Sequence, residues 1–296
     1  MNNFILVAGA TGDLGQRIIK SLISKGADVH ALVRSGSDKT KIASIAALGT
    51  TIAEVDFSAA SQLTQACTGA SCVVSALAGL RDVIIDTQLL LLEAAVNAGV
   101  PRFIPSDFSS DFTQLPQGEN RNFDLRKEFH NHLDKASIKG TSIMIGAFAD
   151  ILRYNTPFYN LKEQTIAYWG DDPDWQVDFT TKDNAAEFTA TAALDPGTPE
   201  ILRIASFQIS AVELAAYAKD LKNADFKLKP MGSLADFSAY NKRERAAHPE
   251  GENQLYAKWQ QSQYMHSMFS VQNTPLDNDR YPGINWTNAE EVISQI

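Results

Sequence analysis

Short apolar runs alternating with amphipathic stretches constrain this chain more than any other feature. Six such runs punctuate its first half: FILVAG (4–9), DVHALVR (28–34), TTIAEV (50–55), SCVVSAL (71–77), RFIPS (102–106) and TSIMIGAF (141–148). Three helical stripes lie among them. Leu14, Ile18, Leu22 and Ile23 make the first, and Ile42, Ile45, Ala46 and Leu48 the second. Leu89, Leu92, Ala95 and Val96 make the third, which ends at Gly99 and Pro101. Strands alternating with helices of about 10–15 residues form βαβ units and hence a parallel sheet. Right-handed crossovers place helices on both of its faces. After Ala149 the rhythm breaks into aromatics, turns and shorter elements. The expected fold is α/β: a doubly wound parallel sheet over residues 1–154, with 177–204 returning to it, and a smaller C-terminal α/β lobe over 155–296.

Composition narrows the partners. The chain has 26 basic and 35 acidic side chains, a net charge of −9. Nucleic-acid affinity is supplied mostly by Lys and Arg, so direct nucleic-acid binding is not expected. No stretch reaches about 18 uncharged apolar residues, so no membrane span is expected. The start, MNNFILVAG, lacks a basic n-region and enters a strand pattern at once, which reads as a cytoplasmic chain without a signal peptide. Cys67 and Cys72 are too few for a disulfide framework and read as core thiols. The five histidines show no metal-ligand spacing, and His130 and His132 point to different helix faces, so no metal is expected.

Three glycines fall within seven residues after the first strand: Gly9-Ala-Thr-Gly12-Asp-Leu-Gly15. The context, strand before and amphipathic helix after, is that of a dinucleotide-binding loop. Gly9 permits the tight turn, Gly12 lets backbone approach a pyrophosphate, and Gly15 lets helix pack on strand. Free N–H groups at the helix start then face the phosphates. Thr11, Asp13 and Leu14 complete the loop. The second strand ends in Arg34, 19 positions after Gly15, where an NAD site normally carries an acid. A planar fork of donors suits a 2′-phosphate, so NADP(H) is expected in preference to NAD, with Lys39 adding charge. Asp56 and Phe57 follow the third strand and border the adenine position. Ser75, Ala76 and Leu77 end the fourth strand, Ser106 and Asp107 the fifth, and Phe148 the sixth; all are candidate cofactor contacts.

Three longer segments resemble one family. LLLLEAAVNAGVPRFIPSDFSSD (89–111) resembles the stretch reading AA-x-x-AGV-x-RF-x-PS-[DE]-F-G-x-D in the NmrA-like and isoflavone reductase-like family of atypical short-chain dehydrogenases/reductases. DFTTKDNAAEFTATAALDP (178–196) resembles that family's sixth strand and following helix, and RYPGINWTNAEEVI (280–293) its C-terminal ending. The resemblance implies a Rossmann-type NAD(P)-binding domain with a small C-terminal substrate-binding lobe. It implies either of two functions. Family reductases act with NADPH on small, often aromatic molecules, using a lysine on the helix after PS-[DE]-F. Other members bind the dinucleotide and regulate protein partners without reduction.

That helix reads NFDLRKEFHNHLDKASI (122–138). Phe123 and Lys127 have the Tyr-x-x-x-Lys spacing of ordinary short-chain dehydrogenases, but phenylalanine has no phenol to move a proton. Counting three from Phe123, the family lysine falls on Arg126; counting back from the next strand, it falls on Lys127. With Leu125, Phe129, Leu133 and Ala136 as the buried stripe, Arg126 lies roughly 65° from its centre and Lys127 roughly 165° away. Arg126 is then the inward residue, able to polarise a carbonyl but not to titrate. His130, one turn on, supplies a titrating group. Arg126, Lys127 and His130 are the catalytic candidates. Phe108, Tyr154, Phe158, Tyr159, Tyr168 and Trp169 read either as the wall of an aromatic pocket or as plain core. Two functions stand: an NADPH-dependent reductase of a small carbonyl, enone or aromatic compound, and an NAD(P)-binding redox sensor acting through a protein partner. Neither reading decides the oligomeric state.

Overall fold

A computed structural model describes residues 3–296, which form two compact units. The first takes in the chain up to Asp107, then Leu125–Ile143 and Ala185–Leu202. Its main strands are β1 (Phe4–Ala8), β2 (Asp28–Arg34), β3 (Thr51–Val55), β4 (Ala70–Ser75), β5 (Arg102–Ile104) and β6 (Lys139–Gly140). They form one parallel sheet in the order β3-β2-β1-β4-β5-β6. Helices α1 (Asp13–Ser24), α2 (Lys39–Ala46), α3 (Ala60–Cys67) and α4 (Gln88–Asn97) make the crossovers. Helix α5 (Arg121–Leu133) precedes β6. The doubly wound parallel sheet expected from the alternation is present.

Burial explains why these runs become strands. All five residues of β1 are buried, as a strand covered on both faces requires. Leu6, Ala8, Leu32, Val73 and Phe103 from the sheet pack with Leu63, Leu91, Leu92 and Phe129 from the helices. The stripe on α5 is as expected: Leu125, Phe129 and Leu133 are buried, and Ala136 is packed against the same core. A charge sits inside this unit as well. Arg102, 7% exposed, donates from Nη1 to the Ala193 carbonyl (2.8 Å) and from Nη2 to those of Ala192 (2.6 Å) and, more weakly, the Thr198 hydroxyl (3.3 Å). Ala192 and Ala193 close helix α6 (Lys182–Leu194), so the guanidinium satisfies carbonyls that have no partner within the helix and meets its negative end.

The second unit comprises Phe108–Asp124, Met144–Asn184 and Arg203–Ile296. The remaining strands are β7 (Ser142–Met144), β8 (Ala147–Phe148), β9 (Thr165–Tyr168), β10 (Val177–Thr180), β11 (Ile201–Arg203), β12 (Phe207–Ile209) and β13 (Lys227–Pro230). They form small sheets, β12-β10-β8, β11-β7 and β13-β9. Helices α7 (Ala211–Lys222), α8 (Leu234–Ala247), α9 (Lys258–Ser270) and α10 (Ala289–Ser294) belong to the second unit. Its core is aromatic. Phe158 stacks on Phe179 and meets Phe269 edge-on, while Trp169 lies flat on Phe237. Phe158, Tyr159 and Trp169 are thus core, not the wall of a pocket, and Tyr154 is 70% exposed. Among the described residues no helix is long and apolar enough to cross a membrane.

Two local differences from the sequence reading have clear causes. The expected strand 141–148 is divided: the chain leaves the main sheet at β6, and β7 and β8 then belong to two different small sheets. Gly146 has φ +66° and lies against Asp178, where a Cβ would meet the aspartate's own Cβ and carbonyl, so the chain turns there. The third helix also begins earlier than its stripe. A π-helical turn over Asp82–Thr87 runs directly into α4.

The Arg102 cap is directly testable. Arg102→Met removes the guanidinium's bonds to both carbonyls, leaving Ala192 only the Asp195 N–H, and is expected to lower stability by about 1–3 kcal/mol in urea unfolding. Arg17→Met, which removes the exposed pair with Asp13, is expected to cost less than about 1 kcal/mol. Equal midpoints for the two variants would show that Arg102 does not hold α6.

Candidate functional site

The glycine loop closes the carboxyl end of β1. Gly9, at φ +74°, accepts a hydrogen bond at its carbonyl from the Gly12 N–H (2.9 Å). A Cβ on Gly9 would meet the Ala76 carbonyl, and one on Gly15 would meet the Gly9 carbonyl. Those two glycines are demanded by the fold's own close approaches. Gly12 is different. Its backbone is extended (φ −78°), it is exposed, and a Cβ there would meet only the Gly9 carbonyl, at 3.2 Å. It caps α1 without a side chain, so nothing of its own covers the helix start. Asp13 is drawn to Arg17 (2.7 Å), Thr11 accepts from the Gln16 amide at its carbonyl (3.0 Å), and Leu14 is half-buried.

The neighbouring strand ends carry the other candidates. Arg34 ends β2 with its side chain exposed, and its carbonyl accepts from the Ser37 hydroxyl (2.6 Å). Lys39 opens α2, whose cap Asp38 accepts from the Thr40 N–H (2.8 Å); that bond and the one from Lys41 hold its carboxyl below the usual range. Asp56 is exposed and turned on its own loop. The Ser58 hydroxyl (2.7 Å) and N–H (2.9 Å) lower its pKa. Phe57 packs against the core of the first unit.

The ends of β4 and β5 are tied by side chains. Ser75 is fully buried, and its hydroxyl donates to Gln88 Oε1 (2.6 Å). The same oxygen accepts from the Ser106 N–H (3.0 Å), and the Ser106 hydroxyl donates to the Leu77 carbonyl (2.6 Å). Gly9, Ala76, Leu77, Ser106 and Asp107 therefore follow one another in contact along the carboxyl edge of the sheet.

Asp107 is 1% exposed, and its Oδ2 lies 2.8 Å from His130 Nε2. Its Oδ1 is buried without a hydrogen-bond partner among the described residues. Ser142 Oγ stands 3.2 Å from the same ring nitrogen. Burial works against a charge on His130, but the Asp107 carboxylate outweighs it, Asp134 adds to it and Arg126 opposes it, so the imidazole is held above its ordinary pKa. Arg126, four residues earlier and one helical turn away, donates from Nε to the Asp107 carbonyl (3.1 Å). Arg126 and His130 thus share residue 107, while Lys127 is half-buried beside them in sequence. An imidazolium backed by a carboxylate can hold an anion or deliver a proton to developing oxyanion charge.

Phe148 lies in the second unit, its ring 5.9 Å from Lys182 Nζ, which pairs with Asp150 at 2.5 Å. Sequence reasoning missed Gln88 and Ser142. A glutamine opening an otherwise apolar helical run, QLLLLEAAV, was the available signal for the first; nothing in TSIMIGAF singles out the second. No group of three or more His, Cys, Asp or Glu among the described residues is arranged to hold a metal.

Known proteins share both sequence and architecture with this chain. Pinoresinol reductase 2 of Arabidopsis thaliana is 32% identical over 210 residues, covering 66% of this chain and 65% of that protein. The matched part therefore spans just under two thirds of that relative. A bifunctional pinoresinol-lariciresinol reductase of Linum perenne is 26% identical over 311 residues, 98% of this chain and 97% of its own. The solved structure of AtPrR2 with NADP+ and (+)pinoresinol superposes with a TM-score of 0.79 at 25% identity, covering 100% of this chain and 99% of that one. The model of the NmrA-like family matches residues 1–219, which takes in the glycine loop, the Asp107–His130 pair and the return of α6 to the sheet. The chain belongs to the NmrA-like family.

Proposed function

We propose that this protein is an NADPH-dependent reductase of a small carbonyl, enone or aromatic compound. The observation that carries the reading is the buried Asp107–His130 pair on the same sheet edge as the glycine loop. The full-length similarity to a reductase solved with NADP+ and an aromatic ligand supports the class of substrate. The loop fits a dinucleotide on its own geometry. Gly9 and Gly15 are explained by packing, but the missing side chain at exposed Gly12 is explained by a ligand approaching the start of α1. Arg34, exposed at the end of β2, offers its fork of donors to a 2′-phosphate, and Lys39 adds positive charge.

A bound nicotinamide supplies the hydride. The chain's own residues orient the acceptor and manage its charge. Arg126, held at the Asp107 carbonyl, carries a permanent positive charge toward a developing oxyanion. His130 delivers the proton, and Asp107 keeps the imidazole charged until it does. Ser142 Oγ stands 3.2 Å from the same Nε2 that faces Asp107 and so helps to fix that edge of the ring. Lys127 remains the alternative position for family lysine chemistry, and alanine replacement of Arg126 and of Lys127 separates the two.

Arg34→Ala is expected to weaken NADPH binding by about 1.5–3 kcal/mol in calorimetry, the scale of a charge-assisted hydrogen bond, and to leave NADH nearly unchanged. Equal losses for both cofactors would mean that Arg34 only supports its loop.

A second expectation concerns pH. His130 must be protonated to act, and its pKa in the folded protein lies above the ~6.5 of a free histidine. Turnover should therefore be full at and below about pH 6.5 and fall as pH rises through the folded-state value. The stabilisation from the pair follows the same sign: present below ~6.5, lost on raising pH through the folded pKa. His130→Phe should lose about 10²–10⁴ in turnover together with the alkaline limb. The assay is NADPH oxidation with quinones, enones, isoflavonoids and pinoresinol. Tight NADPH binding with no turnover across that panel would instead favour a dinucleotide sensor.

A further inference from the structure

We propose that Gln88 is a positioning residue: it locks the exits of β4 and β5 together and so sets where the Asp107–His130 pair stands against the Gly9 loop. The proposal rests on the reductase reading for its consequence in turnover, but its geometry is independent of any substrate.

The ladder between β4 and β5 is short, with Val73 paired to Phe103 and Val74 to Ile104. Pro105 follows and has no N–H to continue it. The first donor beyond the proline, Ser106 N–H, goes to Gln88 Oε1 at 3.0 Å, and the same oxygen takes the hydroxyl of Ser75, the last residue of β4, at 2.6 Å. A side-chain amide therefore supplies the rung that the proline removes. Gln88 is 1% exposed, and its Nε2 donates to the Ile84 carbonyl (3.1 Å), so both ends of the amide are used. An apolar side chain would fill the same space without the cost of burying an amide. The π turn over Asp82–Thr87 delivers Gln88 to this point. Ser106 Oγ adds a second tie, to the Leu77 carbonyl, next to the Ala76 carbonyl that Gly9 abuts. Asp107 is the next residue, and its N–H returns to the Pro105 carbonyl at 2.9 Å. Its carboxylate is thus aimed from a short turn anchored at Ser106. The charged groups acting on His130 include Asp107, Asp134 and Arg126, and a hydroxyl facing it from β7 is that of neutral Ser142. A displaced Asp107 therefore changes the histidine's titration directly.

Two replacements test this in the full chain. Gln88→Met keeps the volume and removes the acceptor. Gln88→Glu keeps the acceptor and, when its buried carboxyl is protonated, can still donate to the Ile84 carbonyl. The readout is the NMR titration of the His130 imidazole without substrate, assigned with His130→Phe, alongside NADPH binding and turnover. In Gln88→Met the midpoint should fall toward the ~6.5 of a free histidine. Turnover should drop about 10²-fold, the cost of a misplacement near 1 Å, while NADPH affinity changes by less than about twofold. Gln88→Glu should keep the parent midpoint. A folded Gln88→Met protein with the parent's His130 midpoint would overturn the proposal. If that variant does not fold, Ser106→Ala is read the same way: a lowered midpoint supports the proposal and an unchanged one overturns it. The titration needs no turnover, so it decides the role of Gln88 even in a protein without reductase activity.

Discussion

The Ala76 carbonyl occupies the space that a side chain on residue 9 would need. This backbone-to-backbone approach joins β1 to β4, the two strands from which the sheet winds in opposite directions. The crevice that such a reversal opens at the carboxyl ends of the strands is where ligands of open α/β sheets bind. Gly15 repeats the logic on the other side, lying against the Gly9 carbonyl so that α1 can start directly above the turn. Enlarging either glycine would spread the loop, the helix start and the β4 exit together.

From that contact a row of polar ties runs across the sheet edge. Leu77 receives the Ser106 hydroxyl, Gln88 joins Ser75 to Ser106, and Asp107 meets His130. The two ties through Gln88 are buried and the other two half-buried, so a polar group there that lost its partner would be costly. The one oxygen left over, Oδ1 of Asp107, belongs to the carboxylate that faces the imidazole. The edge thus combines rigidity with a charge whose partner can gain or lose a proton, which is the physical requirement for acid–base work at a fixed place.

The second unit stabilises itself by other means. Its strands are short and its sheets small, and stacked aromatic rings fill the space between them. Its polar interior is also committed to structure. The Asp178 carboxyl is pushed up to about 6 by burial, against hydrogen bonds from Gln208 and the Asn273 N–H. Asp111, whose pKa is lowered by its hydrogen bonds despite burial, binds Thr113, Gln114 and Arg203. These groups tie loops to strands and account for polar residues that sequence pattern alone leaves unexplained.

Much of the fold was legible because its signals are local. Apolar runs, helical stripes and glycine spacing report strand, helix and turn, and five of the six expected strands in the first half stand where the pattern put them. The stripe on α5 also placed Arg126 on the side of His130 by periodicity alone. The site was legible only in part. The three glycines could be read as a loop with separate roles, but only the packed chain reveals which backbone atoms Gly9 and Gly15 lie against. Asp107 and His130 are 23 positions apart, Gln88 and Ser106 18, and no periodicity links them. The sequence by itself determined the alternation of strand and helix in the first half, the parallel sheet that such alternation implies and the dinucleotide-type loop, since apolar runs, helical stripes and glycine spacing are local signals. Tertiary structure alone decided which polar side chains meet, that the run 141–148 breaks at Gly146, and that the aromatics of the second unit are core. Those outcomes depend on which distant surfaces leave no room for water or for a Cβ.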